Sequence, residues 1–113
     1  MSAAIKLLKA AAGNAGGGPV YVDDVFSTFI WDGTGSSHAI DNGIDLSGEG
    51  GLVWVKARSH GLSHSLYDTE RGNTKIIQSN STGAETTNST QITSFNNNGF
   101  TMGSGEVNYS GYN

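Results

Sequence analysis

The chain has 113 residues, of which 17 are Gly, and hydrophobic residues make up 35% and charged residues 14% of it. This length suits one domain, and the abundance of Gly, Ser, Thr and Asn excludes an ordinary helical bundle. The net charge of −4 argues against nucleic-acid binding, because no overall positive field holds a polyanion. The lack of cysteine excludes disulfides, thiolate zinc sites and cysteine nucleophiles. No apolar run approaches the roughly 18 residues of a membrane helix, so membrane insertion is not expected.

The N-terminal segment differs in composition from the rest of the chain. Residues Ser2–Ala12 are good helix formers without Gly or Pro, and they predict a short helix. Ile5, Leu8 and Ala12 recur at spacings of three and four on one face, with the two lysines of the segment on the other side. About eleven residues fall below the ~12–15 that an isolated helix needs in water, so we expect this helix to be ordered against a partner. The residues assigned to this anchoring and assembly contact are Ile5, Leu7, Leu8 and Ala12.

A Gly-rich stretch then marks a boundary in the chain. Gly13 supplies a helix stop signal, and the residues from Asn14 to Pro19 have the backbone freedom of a linker. We therefore divide the chain into residues 1–19, an anchoring helix with its linker, and residues 20–113, a β-sandwich module.

From Val20 onward, short β-rich runs alternate with turn clusters at the spacing of an antiparallel sandwich. Leu52–Val55 is apolar on both faces, which predicts a central strand covered on both sides. Arg71-Gly72-Asn73 predicts a hairpin, and the polar stretch Asn80–Thr90 predicts a surface loop. The predicted strands are Val20–Val22, Val25–Trp31, Ser37–Ile40, Leu52–Arg58, His64–Thr69, Thr74–Ser79, Gln91–Phe95 and Phe100–Met102.

Enzymatic activity is not expected, and we assign no catalytic residue. The run from His64 to Asp68 contains His, Ser and Asp, but neighbouring side chains of a strand point to opposite faces and do not form a triad. No pair of carboxylates stands out at the positions that a polysaccharide depolymerase would need.

Metal binding is not expected either, and no cofactor is assigned. The three histidines are interpreted as exposed loop and strand residues. Asp41, Asp45 and Glu49 lie close in sequence without the order of an EF-hand, and we interpret them as solvated turn carboxylates. A calcium site built from scattered loops is the weaker alternative for these three residues.

Aromatic residues are the remaining candidates for a binding role. Trp54 and the four Phe fall within predicted strands, which favours core packing. Tyr109 and Tyr112 lie in a Gly-, Ser- and Asn-rich tail, where packing accounts for them less well, and His60 lies in the polar loop Ser59–Ser63. We keep Tyr109, Tyr112 and His60 as candidate ligand contacts.

Several stretches of the chain occur in the order of a known family. They are Val20–Thr28, Asn42–Lys56, Asp68–Gly72, Ser79–Thr82 and Ser94–Phe100. Together with the Ala/Leu-rich start and its Gly linker, they resemble a domain common in tail proteins of tailed bacteriophages, notably those of marine and cyanobacterial hosts. The resemblance covers nearly the whole chain. It implies a jelly-roll sandwich of the concanavalin and laminin-G type, with no established catalytic set.

The resemblance also implies a function and partners. It implies a structural protein of the virion tail, a tail fibre or tail-tip component, which docks through its N-terminal segment onto other tail proteins and forms a homo-oligomer. The alternative is a carbohydrate-binding module that recognises a host surface glycan through the loops Ser59–Ser63 and Asn80–Thr90. Similar proteins continue past the position of Asn113 into a further aromatic strand. The sandwich is thus expected to lack its last strand, which a longer polypeptide or a neighbouring subunit would supply.

Overall fold

The structure, a computed structural model, describes residues 19–113. A single-turn helix, α1, spans Val22–Val25, and a 3-10 helix spans Glu106–Asn108 near the C-terminal end. The remaining regular structure is β-strand. The strands are β1 (His38–Asp41), β2 (Leu52–Val55), β3 (Ser65–Asp68), β4 (Lys75–Ile76), β5 (Thr86–Thr87), β6 (Ile92–Asn96) and β7 (Gly99–Met102).

The strands form two antiparallel layers. One layer is a three-stranded sheet in the order β1-β7-β6. In the other layer, β2 pairs with β3 and β4 pairs with β5. Leu66 and Ile77 exchange two backbone hydrogen bonds, of 2.9 and 3.2 Å, which join these two pairs side by side. The domain is therefore all-β and antiparallel, as the composition predicts.

The hydrophobic core lies between the two layers. Alternate residues of β2 and β3 face it, as the two-residue period of a strand requires. The buried residues from the two layers form one cluster: Ile40, Ile92, Phe100 and Met102 from the three-stranded sheet, and Val53, Val55, Tyr67 and Ile76 from the other layer. The layers make an open sandwich, because they share a core without closing around it.

The fully buried Asn108 connects the segment after Trp31 to the C-terminal part of the domain. Its Oδ1 accepts hydrogen bonds from Trp31 Nε1 and the Thr34 N–H, both at 3.2 Å. Its Nδ2 donates to the carbonyl oxygens of Ser36 and Gly103, both at 2.8 Å. Every polar atom of this side chain has a partner, so its burial carries no unsatisfied group.

Four of the predicted strands are confirmed to within about two residues, namely those that became β1, β3, β6 and β7. Two predicted strands are shorter in the structure, since β2 ends at Val55 and β4 spans only Lys75–Ile76, and other segments differ in kind. Val20–Val22 overlaps the start of α1, where the Asp24 carboxylate accepts the Tyr21 N–H at 3.1 Å and stabilises a turn. Thr86–Thr87 pairs with Lys75–Ile76, although it falls within the stretch predicted to be a loop.

The prediction that Leu52–Val55 is a central strand is wrong for the described part of the chain. β2 pairs with β3 on one side and with no described strand on the other. Leu52 and Trp54 are 58% and 60% exposed, so the outer face of β2 is uncovered as well. Val25–Trp31, predicted to be a strand, contains the end of α1 and belongs to neither layer, although Phe26 has an extended backbone (φ −143°, ψ 133°).

Replacing Asn108 with Ala is expected to lower the free energy of unfolding by about 3 kcal/mol, because several buried groups lose a partner at about 1–3 kcal/mol each. Chemical denaturation measures this loss. Asn97→Ala, at an exposed position between β6 and β7, is the matched control and should change stability by less than about 0.5 kcal/mol. An Asn108→Ala protein as stable as the parent would contradict the role of this side chain.

The raised pKa of Tyr67 predicts that the domain loses stability at alkaline pH. Burial and, to a lesser degree, the negative charge of Glu106 raise the pKa of Tyr67 from 10.0 to about 12. Because the folded pKa exceeds the unfolded one, this contribution to stability is complete below about pH 10 and is lost as the pH rises toward 12. Tyr67→Phe removes the ionisation and the 2.9 Å hydrogen bond to Gln91 Oε1. We expect a lower stability at neutral pH, by about 1 kcal/mol, and a shallower decline above pH 10. Melting temperatures measured from pH 7 to 12 test this, and Tyr109→Phe should keep the parent profile.

Candidate functional site

An apolar groove with a volume of about 780 Å³ opens beside β2. One wall is the segment Val25–Trp31 and the other wall is β2 itself. The floor includes Leu46, Phe100 and Val107, which belong to the buried core. These three residues remain buried, so the groove lies against the edge of the core.

Large apolar side chains remain exposed on both walls. Each of them is at least 45% exposed: Val25, Phe26, Phe29, Ile30, Leu52 and Trp54. All six line the same groove, so they form one surface. Scattered exposed hydrophobic residues are normal on a soluble domain, whereas a shared apolar surface of this kind is typical of a contact site.

The backbone of β2 directs hydrogen-bonding groups into the groove. Leu66 of β3 uses its N–H and C=O to bond Ile77, on the side of β3 away from β2. Its register partner Trp54 is therefore not hydrogen-bonded to it, and in an antiparallel ladder the backbone groups of Trp54 point to the opposite edge. Leu52, two residues earlier, has the same orientation. The N–H and C=O groups of Leu52 and Trp54 thus form an open strand edge.

The C-terminal residues close one end of the groove. They accept backbone hydrogen bonds from a residue that follows each wall in the chain. The Gly33 N–H donates to the Tyr112 carbonyl at 2.6 Å, and the Arg58 N–H donates to the Asn113 carbonyl at 2.5 Å. Gly33 is required for this approach, because a Cβ there would lie 2.1 Å from the Tyr109 carbonyl oxygen. Tyr112 and Asn113 therefore lie between the two walls.

The two ends of the groove carry opposite charges. Lys56 and Arg58 follow β2 at the end that Asn113 closes, and Lys56 Nζ donates to the His60 carbonyl at 2.8 Å. Asp45 and Glu49 precede β2 and line the other end. The groove is thus apolar along its length, basic at one end and acidic at the other.

The three candidate ligand contacts, Tyr109, Tyr112 and His60, form one aromatic cluster. The His60 and Tyr112 rings are stacked, with centroids 3.5 Å apart and an interplanar angle of 11°. Tyr109 meets Tyr112 edge to face at 5.6 Å and is 47% exposed. The sequence analysis selects these three residues separately. The structure places them together beside the closed end of the groove.

His64, Ser65 and Asp68 do not converge on one site. Ser65 is buried in the core, whereas His64 Nδ1 accepts a hydrogen bond from Trp54 Nε1 at 3.0 Å. Asp68 accepts from the backbone N–H of Arg71 at 2.7 Å and from its guanidinium at 2.5 Å. These bonds lower the pKa of Asp68, because they stabilise its charged form. Asp68 therefore holds the turn that follows β3.

Asp45, one of the acidic residues before β2, has a local structural role. The Asp45 carboxylate accepts the Gly48 N–H at 2.7 Å and the Ser47 hydroxyl at 3.3 Å. Within residues 19–113, no three His, Asp or Glu side chains are grouped as metal ligands would be. Over the same range, no helix has the length and apolar character needed to cross a membrane.

Comparison with protein families gives a match over residues 22–113, to a domain of unknown function designated DUF7483. The chain belongs to the DUF7483 family. No curated protein and no solved structure matches it. The DUF7483 match includes both walls of the groove and the aromatic cluster, and it begins after the predicted anchoring residues.

The groove of this DUF7483 domain is the feature that sequence reasoning missed. Its signal was present in Val25–Trp31 and Leu52–Val55, which are rich in large apolar residues, but that pattern predicted two ordinary strands. The predicted anchoring residues Ile5, Leu7, Leu8 and Ala12 lie outside the described residues.

Proposed function

We propose that this DUF7483 domain is a non-enzymatic structural module of a bacteriophage tail, a tail fibre or tail-tip component assembled with other tail proteins and with copies of itself. Two independent features support the proposal. One is the resemblance of the motifs from Val20 to Phe100 to tail-protein domains, and the other is the apolar surface of the groove.

The observation that carries the proposal is the exposure of apolar side chains on both groove walls. Each such side chain contributes about 1.5–3 kcal/mol when it is removed from water. Six of them face solvent in the isolated domain, so covering even three or four gives enough free energy to hold a partner. In an assembly, a partner that covers this surface would remove these side chains from water.

The N-terminal segment provides a second means of attachment. Its sequence predicts an amphipathic helix with Ile5, Leu8 and Ala12 on one face, followed by a Gly-rich linker. The predicted Gly-rich linker would let the predicted helix dock on the tail apparatus while the sandwich adopts its own orientation.

The anchoring role predicts the effect of substitutions in this segment. Ile5→Asn combined with Leu8→Asn is expected to reduce the amount of the protein in purified tail particles at least tenfold, because the apolar stripe of the helix is lost. Quantitative mass spectrometry of the particles measures it.

The matched control replaces Lys6 and Lys9 with Ser, on the other face of the predicted helix, and should leave incorporation within about twofold of the parent. Full incorporation of the Asn double variant would contradict anchoring by this segment. Deleting Met1–Gly13 should give the same loss while leaving a β-rich soluble domain by circular dichroism.

A second candidate function is recognition of a host glycan, and the aromatic cluster favours it. His60, Tyr109 and Tyr112 form a ring surface beside the loop Ser59–Ser63. That loop contacts the other polar loop, because Asn80 Nδ2 donates to Ser63 Oγ at 3.3 Å and the His64 N–H donates to Asn80 Oδ1 at 3.1 Å. Flat apolar rings with polar edges beside amide and hydroxyl groups suit the faces and hydroxyls of a sugar.

Glycan binding is tested by screening the protein on an array of bacterial surface polysaccharides. If the cluster binds sugar, Tyr109→Ala should weaken binding of any positive glycan at least tenfold, because its exposed ring is removed. Tyr21→Ala, at an exposed tyrosine outside the cluster, should bind like the parent. An array without positives, or equal binding by both variants, would exclude this candidate.

A further inference from the structure

We propose that Trp54 and His64 form a pH-sensitive switch in the groove wall: neutral His64 holds the Trp54 ring in place, and protonation of His64 releases it. This inference goes beyond the proposed function, because it concerns how the pH of the solution changes the wall and not what the wall contacts. Its test uses the full chain in solution, so it succeeds or fails separately from the particle-incorporation experiment.

The switch depends on one hydrogen bond between a side chain of β2 and the residue that precedes β3. Trp54 Nε1 donates to His64 Nδ1 at 3.0 Å. The two rings meet edge to face, with centroids 5.7 Å apart and an interplanar angle of 68°. An imidazole nitrogen that accepts a hydrogen bond carries no proton, so the ring proton of neutral His64 lies on Nε2. The bond therefore exists only while His64 is neutral.

Protonation of His64 and the hydrogen bond to Trp54 exclude each other. Nδ1 has one lone pair, which either accepts the Trp54 N–H or takes up a proton from water. After protonation, two N–H groups face each other across the former bond and repel. A cation–π contact does not replace the bond, because it requires the cation over the face of the ring, whereas Trp54 presents its N–H edge to His64.

His64 is the fixed member of the pair, and Trp54 is the movable one. The His64 N–H donates to Asn80 Oδ1 at 3.1 Å, and Asn80 Nδ2 donates to Ser63 Oγ at 3.3 Å, which holds the backbone at His64. Trp54 is 60% exposed, and within residues 19–113 no other hydrogen bond or ring contact holds its indole. Loss of the bond therefore frees the Trp54 ring and leaves the loop in place.

The Trp54 ring matters because it is part of the apolar surface of the groove. Trp54 lines the groove, and its bond to His64 draws the indole N–H toward β3, on the side of β2 away from the open edge. A ring that is already fixed loses little conformational entropy when a partner packs against it, whereas a released ring must first be ordered. The same surface is thus a better contact site when His64 is neutral than when it is charged.

The charged and titratable groups beside the pair contact other residues. These contacts join Lys56 Nζ to the Ala57 and His60 carbonyls, the His60 ring to Tyr112, Asp68 and Glu85 to Arg71, and Lys75 Nζ to Thr87 Oγ1. Arg58 lines the closed end of the groove. In the described part of the chain, no charged side chain forms a hydrogen bond or ion pair with the His64 ring. The Trp54 N–H is therefore the group that protonation of His64 affects directly.

The test follows the two indole N–H signals of the isotope-labelled full chain by NMR from about pH 8 to about pH 5, the range in which histidine changes its charge. Trp31 is the internal reference, because its Nε1 donates to Asn108 Oδ1, which does not titrate. We expect the Trp54 signal to move at least threefold further than the Trp31 signal. The nuclear Overhauser contact between the Trp54 and His64 rings should weaken at least threefold as the pH falls.

Variants at two histidines identify the group that titrates. His64→Gln keeps an acceptor for the Trp54 N–H, because its amide oxygen does not take up a proton in this pH range. The movement of the Trp54 signal should then fall at least threefold. His60→Gln, in the preceding loop, is the matched control and should keep the titration of the parent protein.

Three results would overturn the proposal. One is a contact between the Trp54 and His64 rings that is equally strong at both ends of the pH range. Another is a Trp54 titration that persists in His64→Gln. The third is an equal movement of the Trp31 signal, because the whole domain would then respond to pH. The first and third results come from the parent protein, so they remain decisive even where a variant does not fold.

Discussion

One constraint shapes the described part of the structure: β2 pairs with β3 on one side and leaves its other edge open. The two layers bury a common core, and the buried residues Phe100 and Val107 lie at the floor of the groove beside β2. An open strand edge and an exposed apolar surface both cost free energy in water, the first through unpaired backbone groups and the second through apolar area. The open edge of β2 and the exposed apolar side chains of the groove walls are adjacent, so both costs fall on the same part of the domain.

Polar contacts of the buried Asn108 attach one end of the groove to the rest of the domain. Asn108 binds Trp31 Nε1 and the Thr34 N–H, so the end of one wall is attached to the C-terminal part of the domain. The ring of Trp31 also packs edge to face against Phe100 at 6.5 Å. These contacts fix the position of Trp31, where the wall meets the core.

Strand positions could be predicted from the sequence because alternation and turn residues are local signals, and the segments of β1, β3, β6 and β7 confirm it. The neighbours that cover a strand, in contrast, come from parts of the chain that are distant in sequence. The apolar pattern of Leu52–Val55 indicates a strand covered on both sides, but it does not identify the chain that covers it. The aromatic cluster shows the same limit: Tyr109, Tyr112 and His60 were selected one by one, and only the path of the C-terminal residues brings Tyr112 onto His60.

Tyr112 connects the groove to the aromatic cluster. Its carbonyl accepts the Gly33 N–H at the end of one groove wall, while its ring stacks on His60 in the polar loop. The position of this one backbone segment therefore sets both the closed end of the groove and the geometry of the aromatic cluster.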